Sequence, residues 1–170
     1  MKPNNFGPLT RAIQHYIETG NPSFANSIIF NNCKDNFELV SSSNSSVNLS
    51  QVVGMYHANY AGSTWIELIG SPVGTNAKLG RLDSCLRELE NNPSYYESDS
   101  TKEQWSFSLI DGHLYCDEGH HRTVIGRFYL QAHKKPTLVH GVRLSVYRCK
   151  QQTALQSALS KLRDFFFCDK

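Results

Sequence analysis

Apolar residues recur along this chain in two rhythms, one of helices and one of strands. Leu9, Ala12, Ile13, Tyr16 and Ile17 share a helical face, so the spacing predicts a helix over Pro8 to Thr19 that Gly20 stops. The polar stretch Asn31 to Asn48, with its Ser41-to-Ser46 cluster, reads as a loop. Ser50 caps an expected second helix carrying Val52, Val53, Tyr56 and Tyr60 and closed by Gly62. Trp65 to Ile69 reads as a short strand ended by Gly70-Ser71-Pro72. Leu79, Leu82, Cys85, Leu86 and Leu89 then return to helical spacing.

The second half is patterned more sharply. Trp105, Phe107 and Leu109 alternate with Ser106 and Ser108, the mark of a half-buried strand. Asp111-Gly112 is a strong two-residue hairpin signal, and His113 to Asp117 is the returning strand. A turn at Gly119 opens a helix whose buried stripe is Val124, Ile125, Phe128, Tyr129 and Ala132. Leu138 to Arg148 is a further strand, and Thr153 to Phe167 a final amphipathic helix. The expected class is α+β, a small mixed sheet with packed helices. Residues 1–63 read as an N-terminal helical addition, 64–150 as the core and 151–170 as a C-terminal helix, all in one compact domain.

Composition changes this picture little. With 170 residues, 39% hydrophobic, 19% charged and a net charge of +2, the chain reads as an ordinary soluble domain rather than a dedicated nucleic-acid coat. Five cysteines are scattered and never spaced Cys-x-x-Cys, which disfavours a disulfide framework or a structural zinc site. No apolar run is long enough to span a membrane, so a cytoplasmic protein without membrane insertion is expected.

The chemistry concentrates in Asp117-Glu118-Gly119-His120-His121-Arg122-Thr123, which runs strand, glycine turn, helix. A helix N-terminus offers unpaired amides and the positive end of its dipole, so a phosphate is stabilised there. Gly119 lets backbone approach closely, and Arg122 carries a fork suited to two phosphate oxygens. His120 and His121 add donors or proton transfer, while Asp117 and Glu118 are candidates for magnesium ligation or base catalysis. Outside this turn, Lys78 and Arg81 are placed to meet a phosphate, and Arg127 to extend a basic face towards DNA.

The order strand, hairpin, strand, Gly-x-x-Arg turn, helix resembles the ParB/sulfiredoxin-like fold family, over about Thr64 to Arg148. His120 stands where sulfiredoxins carry their catalytic cysteine, so sulfinic-acid repair is not implied, and a redox reading rests on Cys116 alone. Glu118-Gly119-His120-His121-Arg122 fits best the branch of ParB-like nucleases and nucleotide hydrolases. That resemblance implies ATP or CTP as ligand or substrate, DNA as a further partner, and Mg2+ as cofactor. It implies catalytic roles for Glu118, His121 and Glu67, the last from a glutamate near the first strand. It also implies phosphate contacts from Gly119 through Thr123 and metal ligation by Glu118 and Asp117. A looser likeness to plasmid-encoded inhibitors of DNA transfer implies a protein partner in a transfer apparatus. The alternative is a non-enzymatic regulator that binds nucleotide or DNA and acts through a protein partner.

Overall fold

Four helices pack on a six-stranded mixed sheet in the computed structural model, which describes residues 6–31 and 34–150. The strands are β1 (Phe30–Asn31), β2 (Phe37–Asn48), β3 (Val52–Met55), β4 (Ser106–Ile110), β5 (His113–Glu118) and β6 (Leu138–Cys149). The helices are α1 (Pro8–Thr19), α2 (Trp65–Ile69), α3 (Leu82–Asn91) and α4 (His120–Ala132). Sheet order is β1-β3-β5-β4-β6-β2, with β5 beside β3 in parallel and beside β4 as an antiparallel hairpin. The α+β class is therefore met. Asp111 (φ 47°) and Gly112 (φ 76°) make the hairpin turn with both residues left-handed, as an Asp-Gly pair favours.

Helix α4 is the centre of the packing. Val124, Ile125, Phe128, Tyr129 and Leu130 are all buried, each contributing about 1.5–3 kcal/mol of apolar burial. Helix α1 docks beside it through Ile13 and Ile17, and is anchored at its start by a carboxylate from α3. Glu90 accepts from the Thr10 amide at 2.7 Å and the Leu9 amide at 3.2 Å, satisfying donors that no helix bond uses.

Three stretches differ from their sequence reading. Asn31 to Asn48 is not a loop: most of it is β2, twelve residues paired antiparallel along β6. An edge strand is largely exposed, so a serine run suits it, and the backbone ladder supplies the order that composition does not suggest. Ser42 and Ser145 share a hydroxyl hydrogen bond of 3.1 Å across that ladder. The helix expected from Ser50 is instead a short 3-10 turn, then β3, then a second 3-10 turn over Ala58–Tyr60. Here Gly54 lets β3 run against β1, since a Cβ at this position would sit 1.9 Å from the Phe30 carbonyl oxygen.

Trp65 to Ile69 is a helix rather than a strand. A capping box decides it: the Thr64 hydroxyl accepts from the Glu67 amide at 3.2 Å, and the Glu67 carboxylate accepts from the Thr64 amide at 2.7 Å. Residues 1–63 thus contribute three strands to the sheet besides α1, and β3 lies directly against β5. The helix expected over Thr153 to Phe167 lies outside the described residues. Among the described residues no helix is long and apolar enough to cross a membrane.

Candidate functional site

The β5–α4 junction is built by one glycine. Gly119 takes φ 79° and ψ 33°, and a Cβ there would lie 2.5 Å from the Trp105 ring. Both the left-handed backbone and the close indole require glycine. Helix α4 then begins with no side-chain cap and no acidic residue in its first turn. Its leading amides and dipole are left for something else. A cleft of about 960 Å3 opens over them, walled by the His57–Tyr60 turn, α3, the Tyr95–Tyr96 segment and the first turn of α4.

Of the residues expected to contact phosphate, Gly119, His120, His121 and Arg122 line this cleft, but their side chains are differently employed. Arg122 donates to the Tyr95 hydroxyl at 2.7 Å, the Glu103 carbonyl at 3.0 Å and the Gln104 carbonyl at 2.5 Å. Its guanidinium also lies over Tyr95 and Trp105. The fork thus builds the cleft rim rather than waiting in it. His121 is hydrogen-bonded through Nε2 to the Gly80 carbonyl, tying α4 to the loop before α3. Thr123 is buried and accepts from the Trp105 indole at 2.9 Å, a structural position below the cleft floor.

His120 is the exception. Its Nε2 is shielded from solvent and meets no partner, and the same holds for Nδ1 of His57. The two rings meet edge to face at 5.3 Å, and His57 stacks on Tyr60 at 4.2 Å. Burial first, then the neighbouring His57 and His121 rings, push the His120 imidazole down to about 4. Asp117 and a hydrogen bond to the Cys116 backbone oppose that shift without reversing it.

The carboxylates sit at a β-bulge. Ser106 pairs with Glu118 while Phe107 pairs with Cys116, so Asp117 is the extra residue. The bulge breaks the alternation expected of a strand: the Asp117 carboxylate accepts from Ser108 at 2.5 Å and the Glu118 carboxylate from Ser106 at 3.4 Å. Asp117 also pairs with Lys34 at 2.8 Å, so an ammonium already answers its charge. Glu118 is exposed at the rim, where one carboxylate with waters suits magnesium. Among the described residues no three His, Cys, Asp or Glu side chains converge as a metal site.

Two further expectations meet the geometry poorly, and the redox reading that the sequence already disfavours gains no support. Glu67 caps α2 and pairs with Lys78 at 3.4 Å; it does not line the cleft, and its backbone bond with Thr64 holds its carboxyl below the usual range. Arg127 extends no basic face: it is 5% exposed, clamped between Phe24 and Trp65. Cys116 is buried with its thiol pushed up to about 12, chiefly by burial, which removes the reactive thiolate a redox role needs.

Sequence reasoning missed His57 and Tyr60, which no motif marks, because they reach the cleft from a turn that was read as helix. Arg81 it did single out. It lines the cleft from the start of α3, its charge acts on Tyr60, and no hydrogen bond or ion pair engages its guanidinium among the described residues. No protein-family model, no curated protein and no solved structure matches the chain.

Proposed function

We propose that the cleft binds a phosphate-bearing ligand, a nucleotide or a nucleic acid, on the leading amides of α4 and hydrolyses it. One observation carries this reading: the cleft encloses a helix N-terminus that no side chain caps, with Arg81 lining the same space. An anion placed there gains both the dipole and the amides. The order β4, hairpin, β5, Gly-His-His-Arg turn, α4 is also that of the ParB/sulfiredoxin-like resemblance, and supports the same ligand class. Arg81, rather than Arg122, is the guanidinium available to charge developing on phosphate oxygens. Glu118 is the residue that would hold a magnesium ion arriving with its phosphate; the ion, when bound, would neutralise charge on the phosphate oxygens.

Phosphate release from ATP and CTP, and cleavage of plasmid DNA with magnesium, test the reading in wild type, Arg81→Ala and Glu118→Ala. Expected are weakened ligand binding in Arg81→Ala and lost turnover with retained binding in Glu118→Ala. Binding unchanged by Arg81→Ala would remove the cleft from consideration. A regulator that binds without turnover is favoured by a specific feature: Arg122 and His121 are committed to holding the cleft together. Binding by wild type with no turnover on any of these substrates selects it. A cytoplasmic role in DNA transfer, through a protein partner, is the biological setting this reading suggests.

A further inference from the structure

The phosphate reading employs the α4 amides, Arg81 and Glu118, and leaves the pair His57–His120 unexplained. A buried polar atom without a partner is costly, so it is kept where a ligand or a proton needs it. His120 Nε2 and His57 Nδ1 are two such atoms, on rings in contact within one cleft. The Cys116 backbone carbonyl is an acceptor for the His120 ring, and with Nε2 left without a partner we assign the ring proton to Nδ1 and the lone pair to Nε2. His120 is also the first residue of α4, beside the amides where a phosphate would lie.

We propose that His120 is the proton acceptor of this cleft, its Nε2 covered by the His57 ring until substrate enters. The inference rests on the hydrolytic reading above. In the step, entry of substrate displaces the His57 ring from Nε2, the oxygen of an attacking water forms a bond to phosphorus, and one of that water's protons passes to His120 Nε2. The bond from phosphorus to the leaving oxygen breaks, and its electron pair stays on that oxygen. The imidazolium then returns its proton to the leaving oxygen or to water.

The groups around the ring explain why this base rests idle. His57 and Tyr60 face it from the turn after β3, Asp117 from β5 and His121 from its own helix, while Arg81 and Glu88 of α3 and Arg122 of α4 line the same cleft. Burial and the two histidines keep the ring neutral and weakly basic, and the positive end of α4 acts in the same sense. A phosphate bound at the α4 amides adds negative charge beside the ring and raises its hold on a proton. The imidazole becomes an effective base only with substrate in place.

Nitrogen-15 NMR of the histidine rings in the full-length chain reads this without turnover. Expected is a His120 ring with Nδ1 protonated, titrating well below an ordinary histidine, and moving upward both in His57→Ala and on adding ATP. A protonated Nε2, or a midpoint that neither change moves, would overturn the proposal. Kinetics then follow phosphate release from ATP and cleavage of a labelled oligonucleotide. His120→Gln is expected to lose about 100-fold or more in kcat while a fluorescent ATP analogue still binds, and to lose the acidic limb of the pH–rate profile. A His120→Gln rate close to wild type overturns it. Wild type that binds the analogue but turns over neither substrate overturns this proposal and the hydrolytic half of the reading. Wild type that binds no analogue overturns the phosphate site itself.

Discussion

Helix α4 carries two arginines five positions apart, and both give their donors to backbone carbonyls, yet they govern different regions. Arg127, in the packed middle of the helix, is buried between Phe24 and Trp65 at 4.2 and 4.3 Å. It donates to the Val52 carbonyl at 2.8 Å and the Ser50 carbonyl at 3.0 Å, pinning the entrance of β3 to the helix. Burial alone pushes it down to about 10, so it stays charged at neutral pH with no carboxylate beside it among the described residues. Arg122, in the first turn, is half-buried at the cleft and holds the Glu103–Gln104 backbone. The lesson is that a guanidinium on a basic motif is not by itself an anion site. Its partners decide: Arg127 braces β3 against α4, Arg122 braces the cleft rim, and the proposed anion site is left to the α4 amides and Arg81.

The largest expected effect belongs to the core arginine. Arg127→Ala removes the bonds to the buried Val52 carbonyl and the part-buried Ser50 carbonyl and empties a slot between two rings, and is expected to cost about 3 kcal/mol or more in urea unfolding. Arg127→Lys keeps the charge without the fork and is expected to recover part of that loss. A loss below about 1 kcal/mol in Arg127→Ala would erase the contrast between the two sites.

Gly119→Ala moves the comparison to the cleft end of the helix. The left-handed backbone costs about 1–2 kcal/mol with a side chain, and the added methyl strikes the Trp105 ring, which must shift. A destabilisation of about 2 kcal/mol with an altered Trp105 near-ultraviolet signal is expected, against an unchanged Trp105 signal in Arg127→Lys.

How far the sequence disclosed this follows the same division. Where local rules are self-sufficient, the reading holds. The apolar face of Pro8 to Thr19, the Asp111-Gly112 hairpin and the Gly119 turn each encode their geometry in adjacent residues. Where the deciding contact is distant, the reading fails. The serine run of β2 is a strand because β6 lies beside it, and β3 forms because Gly54 meets the Phe30 backbone. Trp65 to Ile69 is a different failure, since Thr64 and Glu67 announce a capping box locally that the apolar run outweighed. At the site, the motif located the cleft but not its occupants. Nothing in Arg122 itself tells that carbonyls eighteen and nineteen residues upstream take its fork, or that His57 arrives against His120.

Arg122→Ala separates bracing from anion binding. As a rim brace Arg122 is expected to contribute about 1.5 kcal/mol of stability through its bonds to Glu103 and Gln104, and its loss to weaken a fluorescent nucleotide only partly. As an anion fork its loss would leave stability intact and abolish binding, an outcome that would overturn the bracing role. Urea unfolding and nucleotide titration on the same preparation read both.

Tyr95→Phe is the mildest and the most discriminating. The Tyr95 hydroxyl accepts from Arg122 at 2.7 Å, and the ring stacks on Trp105 at 6.0 Å with the planes 9° apart. Phenylalanine preserves the stack and removes only the hydroxyl, so the loss is expected near about 1 kcal/mol, the net value of one hydrogen bond. If Arg122 works as a brace, the double variant Tyr95→Phe with Arg122→Ala is expected to cost less than the sum of the single changes, because both remove the same bond. Additive losses would mean that the hydroxyl and the guanidinium act independently. Arg122 would then be held by the Glu103 and Gln104 carbonyls alone, and Tyr95 would belong to the aromatic wall rather than to the rim.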